Sequence, residues 1–358
     1  MSGEIHQLVS DLRRGDAIGN TVLRTRQALR RLGYKSEIFR ETCTADLAAE
    51  TFPAEDYLQI SSPQQSLIFH YSIGSDLNRM AYALPDRIIL SYHNITPPEF
   101  YLGIHDHLVG QLYHGRKQLA CFADRCALAV GATEYNRREL EQLGFPRTGV
   151  LPLALDFDHL DIEPDPFIRA AYSDHRRNFL FVGRIVPNKR IEDLIKLYAH
   201  YKKFVSHDSR LIIVGTWRGF ERYHEQLMRL LADIDLPHVV MPGAVDLNQL
   251  AAFYSVADVF CTMSEHEGFC APLLEAMFFD VPVLARAAAA VPETMDGAGV
   301  LLQELNFAEA AEMLRLLAAP GLFRERVLEG QRERLARFRA VDIEARIESV
   351  IKAAEEGV

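Results

Sequence analysis

Two stretches of this 358-residue chain place charged side chains where they could grip an anionic, hydroxyl-rich ligand. In Phe181-Val-Gly-Arg-Ile-Val-Pro-Asn-Lys189 an apolar run ends at Gly183 and delivers Arg184 and Lys189 into the following loop. A guanidinium offers a planar fork of donors and an ammonium a compact point charge, so together they can clamp a diphosphate. The competing reading is two solvated surface cations. In Ser264-Glu-His-Glu-Gly-Phe-Cys-Ala-Pro-Leu-Leu-Glu-Ala-Met277, Pro272 marks a helix start, with Glu275 in its first turn and Glu267 in the turn before it. Backbone N–H groups of Gly268 to Leu273 would then face an anion, and Gly268 would admit it without a Cβ in the way. Carboxylates beside such a site are poor phosphate ligands and good acceptors for sugar hydroxyls, so Glu267 and Glu275 point to a nucleotide sugar. A favourable helix-dipole contact would explain Glu275 alone and leaves Glu267 unexplained.

Three weaker candidates lie nearer the N-terminus. Gly15-Asp-Ala-Ile-Gly-Asn20 leads from an apolar run into a helical pattern, and a turn followed by an Asn or Thr cap accounts for it without any ligand. In Ser91-Tyr-His-Asn-Ile-Thr-Pro-Pro98, His93 sits just past an apolar run and two prolines fix the exit of the chain. His70-Tyr71 follows the previous run and is a candidate for the acceptor side.

These residues need a scaffold, and the hydrophobic periodicity supplies one. Ile5 to Val9, Ser36 to Phe39, Leu67 to Tyr71, Arg87 to Tyr92 and Ala127 to Val130 read as strands separated by helical patterns, the first helix ending at Gly33. Such alternation predicts a parallel sheet with crossover helices. Leu155 to Pro166 is acidic and proline-interrupted, as an interdomain connection would be. A second alternation follows, with strands at Asn178 to Val182, Leu211 to Val214, Val239 to Met241, Val259 to Thr262 and Val281 to Ala285. The chain is helical after Phe307, and Ile343 to Ala354 is long enough to cross between domains. Open parallel sheets bind ligands past the carboxyl ends of their strands, which is where all these loops fall.

The Gly183-Arg184 to Lys189 element followed by Glu267 to Glu275 resembles retaining glycosyltransferases of family 4 (glycosyl transferases group 1), and the likeness covers most of the chain. It implies the GT-B fold: an α/β protein of two Rossmann-like, doubly wound domains facing across a cleft, with a C-terminal helix crossing back. The implied limits are residues 1–160 for the acceptor domain, 161–340 for the donor domain and 341–358 for that helix. By this resemblance Arg184 and Lys189 hold the diphosphate, Glu275 the ribose and Glu267 a donor-sugar hydroxyl, while the amides of Gly268, Phe269 and Cys270 meet the sugar near Pro272 and Leu273. The Met241 to Val245 segment would line the base pocket through Gly243 and Val245. The Gly15, Asp16, Gly19 loop would close over the sugar diphosphate, although its glycines are not adjacent as they often are in the family. His93 would stand beside the anomeric carbon. The implied activity is transfer of a hexose, mannose or glucose, from a nucleotide-diphosphate sugar to a glycan or lipid-linked acceptor in surface polysaccharide assembly, with retention of configuration and without cofactor or metal. A nucleotide-sugar epimerase, a sugar phosphorylase of the same fold and a non-catalytic two-lobed sugar-binding protein are the alternatives.

Composition bounds these readings. The 49% hydrophobic content over 358 residues suffices for two cores, and a net charge of −10 lacks the positive field that nucleic-acid binding requires. With no apolar leader and no long uncharged apolar run, the expectation is a cytoplasmic protein. The five cysteines, 43, 121, 126, 261 and 270, have no CxxC spacing and predict neither a disulfide framework nor a zinc site. The Asp156/Asp158, Asp233/Asp235 and His105/His107 pairs read as surface groups rather than metal ligands. Arg13, Arg14, Arg24, Arg26, Arg30, Arg31 and Lys35 gather around the first helix, either as a solvated face or for peripheral contact with an anionic membrane.

Overall fold

A computed structural model describes residues 3–155 and 157–356, which divide into two compact units. The first comprises Met1–Glu99, His107–Leu155 and Val341–Val358, and the second Phe100–Asp106 and Asp156–Ala340.

In the first unit, strands β1 (Ile5–Leu12), β2 (Ile38–Cys43), β3 (Phe52–Pro53), β4 (Ser66–Tyr71), β5 (Arg87–Tyr92), β6 (Cys126–Gly131) and β7 (Thr148–Val150) form one parallel sheet in the order β3-β2-β1-β4-β5-β6-β7. The central strands read as near-continuous apolar runs because both faces are covered, and every residue of β4 is buried. The helix Ala17–Arg31 lays Val22, Ala28 and Leu29 on the sheet and stops where Gly33 takes a left-handed φ of 89°. Asp16, rather than an Asn or Thr, caps its start.

The helix Ile343–Glu355 belongs to this unit too. Its Ile347, Ile351 and Ala354 are 1%, 1% and 0% exposed and join a cluster with Ile5, Ala28, Leu29, Ile68, Ile89 and Val130. Arg31 adds an ion pair to Glu344 at 2.5 Å.

The second unit repeats the plan with β8 (Arg177–Val182), β9 (Ser209–Val214), β10 (Val239–Gly243), β11 (Val259–Thr262), β12 (Val283–Arg286) and β13 (Val300–Leu302), all parallel, in the order β10-β9-β8-β11-β12-β13. β12 starts two residues later than its apolar run because Pro282 has no N–H to give the ladder. The Gln331 side chain takes over locally, accepting from Val283 N and donating to Val281 O, each at 2.9 Å.

The edge strands β3, β7 and β13 have two or three residues each and no period of their own, so only pairing with a neighbour defines them. Each sheet reverses its winding once, between β1 and β4 and between β8 and β11. Crevices at such switch points are where doubly wound sheets take their ligands.

Candidate functional site

The loops after β8 and β11 flank the second unit's switch point, and Asn188 stitches them together. Its Oδ1 accepts from the Tyr101 hydroxyl at 2.8 Å, its Nδ2 donates to the His266 carbonyl at 2.9 Å, and its own carbonyl accepts from Glu265 N at 2.9 Å. Sequence reasoning missed both residues: Asn188 reads as an ordinary turn residue, and Tyr101 lies about ninety positions upstream. Lys189 leaves this turn to pair with Glu267, Nζ to Oε1 at 2.5 Å, with Glu267 only 7% exposed. Burial by itself would lower the Lys189 pKa, but the Glu267 carboxylate outweighs it and raises it, so the ammonium keeps its charge. The two roles expected separately, on phosphate and on sugar, thus start from one ion pair in which Glu267 fixes the position of the ammonium.

Arg184 is exposed, with its guanidinium 5.4 Å from the Phe220 ring centre, and has no carboxylate partner among the described residues. That leaves its donor fork open to an anion. Gly183 and Gly215 bring the ends of β8 and β9 together, since a Cβ on Gly215 would stand 1.8 Å from the Gly183 carbonyl oxygen. Gly215 is a second site that sequence reasoning overlooked.

The helix after β11 runs Ala271–Phe278, so Pro272 is its second residue and Glu275 lies in the second turn, not the first. The helix dipole therefore does not explain Glu275. Instead Tyr254, fully buried, donates its hydroxyl to Glu275 Oε2 at 2.8 Å, while burial raises the carboxyl's pKa. Tyr254 carried no signal in the sequence beyond an apolar helix position.

The expected run of backbone donors narrows as well. Leu273 is fully buried and spends its amide on the Cys270 carbonyl at 3.1 Å, and Pro272 has none to give. The amides of Phe269, Cys270 and Ala271 make no hydrogen bond among the described residues and remain as donors. Gly268 is half-buried beside them. Phe269 turns its ring to Phe338, 5.9 Å between centroids, so only its backbone faces the loop. The left-handed residue of this loop is Cys270, at φ 72°, and not Gly268. A non-glycine there costs about 1–3 kcal/mol, and such strain is characteristic of ligand-binding turns. Burial, with the Glu267 carboxylate nearby, pushes the Cys270 thiol far up and keeps it protonated.

Gly243, with φ 81°, ends β10; its carbonyl accepts from Gly215 N at 2.9 Å, and a Cβ on it would approach the Trp217 ring to 3.5 Å. Trp217 itself stacks on His224 at 4.1 Å between centroids, giving this corner an aromatic wall. Val245 is half-buried in the turn before the helix Leu247–Ser255.

In the first unit the Gly15, Asp16, Gly19 loop is a helix cap: Asp16 Oδ1 accepts from Gly19 N at 2.6 Å, and Gly15 N donates to Asn20 Oδ1 at 3.1 Å. A Cβ at Gly19 would stand 1.7 Å from the Arg13 carbonyl oxygen, so close packing already requires that glycine. His93 follows β5 and is half-buried, its Nε2 2.8 Å from His70 Nδ1. His70 and Tyr71, expected on the acceptor side, both point into the protein. His70 is 2% exposed beside a cavity of about 10 Å³, and Tyr71 is fully buried, donating its hydroxyl to the Gly115 carbonyl at 2.7 Å. A cavity that size holds about one water.

A cavity of about 820 Å³ does open at this unit's switch point, lined by Asp11 in β1, Arg13 just after it, Glu41 in β2, and Asp76, Gln111 and His114 on two helices, among others. His107 also lines it, whereas His105 packs on Phe220. The basic cluster is internally compensated: Arg13 pairs with Asp11, Arg14 with Asp46, Arg26 with Glu50, Arg30 with Glu37, Arg31 with Glu344 and Lys35 with Glu4. Arg24 also has a partner. Nothing in that face favours an anionic membrane over solvent.

Asp233 ends a helix, Asp235 lies just past it, and Asp158 sits in a short turn; Asp156 lies outside the described residues. Among the described residues no three His, Cys, Asp or Glu side chains gather as a metal cluster, and no helix is long and apolar enough to cross a membrane.

Two parallel α/β units, one with a basic pair, two carboxylates and a helix start at its switch point, define a GT-B protein. Residues 166–334, somewhat under half of the chain, match the family described as Glycosyl transferases group 1. Its likeness to sucrose-phosphate synthase from Thermosynechococcus elongatus spans 99% of this chain and 100% of that one, with a TM-score of 0.74 at 16% identity, and establishes the fold. The chain is 36% identical over 143 residues to a GDP-mannose-dependent alpha-mannosyltransferase of Mycolicibacterium smegmatis, covering 40% of this chain and 32% of that protein. It is 24% identical over 230 residues to O-antigen chain mannosyltransferase B of Escherichia coli, covering 60% and 57%. The matches thus span a third to somewhat over half of these relatives' lengths.

Proposed function

We propose that this protein transfers a hexosyl group from a nucleotide-diphosphate sugar to a hydroxyl of a glycan or lipid-linked acceptor, in the cytoplasm and in surface polysaccharide assembly. The single observation that carries the reading is the second unit's switch point, where Arg184, the Lys189–Glu267 pair and the free amides of Phe269 to Ala271 gather. In this reading Arg184 and Lys189 hold the diphosphate, the amides and Glu267 meet the sugar, and Glu275, steadied by Tyr254, accepts from the ribose. Gly243 and Trp217 line the base side.

As the bond from the anomeric carbon to the phosphate oxygen breaks, negative charge grows on the leaving diphosphate. Fixed donors placed beforehand stabilise it without a metal ion. The acceptor oxygen bonds to the same face of that carbon, and its proton passes to the leaving phosphate, so configuration is retained. His93, on the first unit, is assigned to the donor sugar. The cavity of about 820 Å³ in that unit, with carboxylates, amide and imidazole groups on its walls, suits a carbohydrate acceptor.

Thermal-shift titration with GDP-mannose, UDP-glucose and ADP-glucose tests the donor class. One of them should raise Tm, and product NMR should show the donor's anomeric configuration preserved, in buffer containing EDTA. No shift with any nucleotide sugar, or an inverted product, would refute the proposal.

A further inference from the structure

Across three adjacent strands of the first unit runs a hydrogen-bond chain that ends at His93. Gln7 on β1 is fully buried, His70 at the end of β4 is 2% exposed, and His93 follows β5. Gln7 Oε1 lies 2.8 Å from His70 Nε2, and His70 Nδ1 lies 2.8 Å from His93 Nε2. The two imidazoles are stacked, 5.1 Å between centroids at an interplanar angle of 20°.

Donor and acceptor roles along this chain follow from its buried end. A carboxamide oxygen only accepts, so His70 carries its proton on Nε2 and presents a bare Nδ1. That bare nitrogen accepts the hydrogen bond that His93 Nε2–H donates, which leaves the lone pair of His93 on Nδ1. Burial, with His93 adjacent, holds His70 well below the usual histidine range, and burial lowers His93 to about 4. Both rings are therefore neutral near pH 7, each with one proton to place.

We propose that Gln7 and His70 are positioning residues that hold His93 in the Nε2–H tautomer, leaving Nδ1 as an acceptor. The inference deepens the reading of His93 as a donor-sugar contact and rests on it for its catalytic consequence. A neutral imidazole with a lone pair on Nδ1 accepts from a hydroxyl and repels a phosphate oxygen. His93 therefore recognises the sugar and not the diphosphate. Gln7 has no charge and no exposure, so its type matters only through the ring it orients.

Long-range proton–nitrogen NMR of the imidazoles in the full-length protein tests the tautomer directly, before any variant is made. His93 should show an unprotonated Nδ1 and a protonated Nε2. Gln7→Met, which keeps the volume and removes the acceptor, should let His93 exchange between tautomers and lower kcat about tenfold with KM for the donor within about twofold. The change of tautomer, read on the His93 ring itself, is a signature that a merely structural loss would not give. A protonated Nδ1 in the parent protein, or a tautomer unchanged in Gln7→Met, overturns the proposal. If the tautomer shifts while kcat stays constant, the tautomer assignment stands and the catalytic reading of His93 falls.

Discussion

Arg184 and Lys189 are both cations in one loop, but their surroundings give them different work. Arg184 has only an aromatic ring beneath it, so its charge is available, whereas Lys189 is already committed to Glu267. Arg184→Ala should lower kcat by about 10²–10³-fold, the worth of one preorganised donor, while leaving Tm nearly unchanged because the side chain is exposed. Steady-state kinetics beside a melting curve checks both halves. Glu267→Gln should instead cost stability as well as turnover, since it strips a largely buried ammonium of its counter-charge.

Glu275 gives a pH test. Burial raises its pKa above the ordinary 4.5, so just above that pH the native state binds more protons than the unfolded chain, and stability falls as pH rises towards the folded value. Glu275→Gln cannot ionise, and its Tm between pH 4.5 and 7.5 should lack that descent; an identical descent in both proteins would contradict the assignment.

At the level of elements, the long apolar strands and the glycine-terminated first helix were legible because their patterns are local. Pro282 delaying β12 is also local, yet it became visible only once the ladder was in place. The helix start at Ala271 shifted by one residue, enough to move Glu275 out of the first turn and to silence the amide of Leu273. Gly215 shows the opposite limit. Its requirement comes from a carbonyl thirty-two positions away and from a φ of 148°, neither of which its neighbours announce. Gly215→Ala should therefore destabilise the second unit by roughly 3 kcal/mol or more, read from the midpoint of urea unfolding. A cost below ~1 kcal/mol would mean that the ends of β8 and β9 do not touch as described.

For the whole molecule, the family match at residues 166–334 falls entirely within the second unit, so the recognisable half is the one that carries the charged motifs. The first unit is completed by the last helix of the chain, whose Ile351 is 1% exposed. Ile351→Ala should cost that unit about 2–5 kcal/mol, seen as earlier proteolysis of its strands than of those in the second unit. The sequence by itself determined the alternating α/β plan, the presence of two sheets and the identity of the basic and acidic pairs, because each is written in residues close together along the chain. Only the tertiary structure decided that Lys189 and Glu267 share an ion pair and that Tyr254 holds Glu275. It also decided that His70 and Tyr71 face inward and that Gln7 reaches His93 through His70. Those contacts join residues 21 to 78 positions apart, and distance in sequence carries no information about contact until packing closes it.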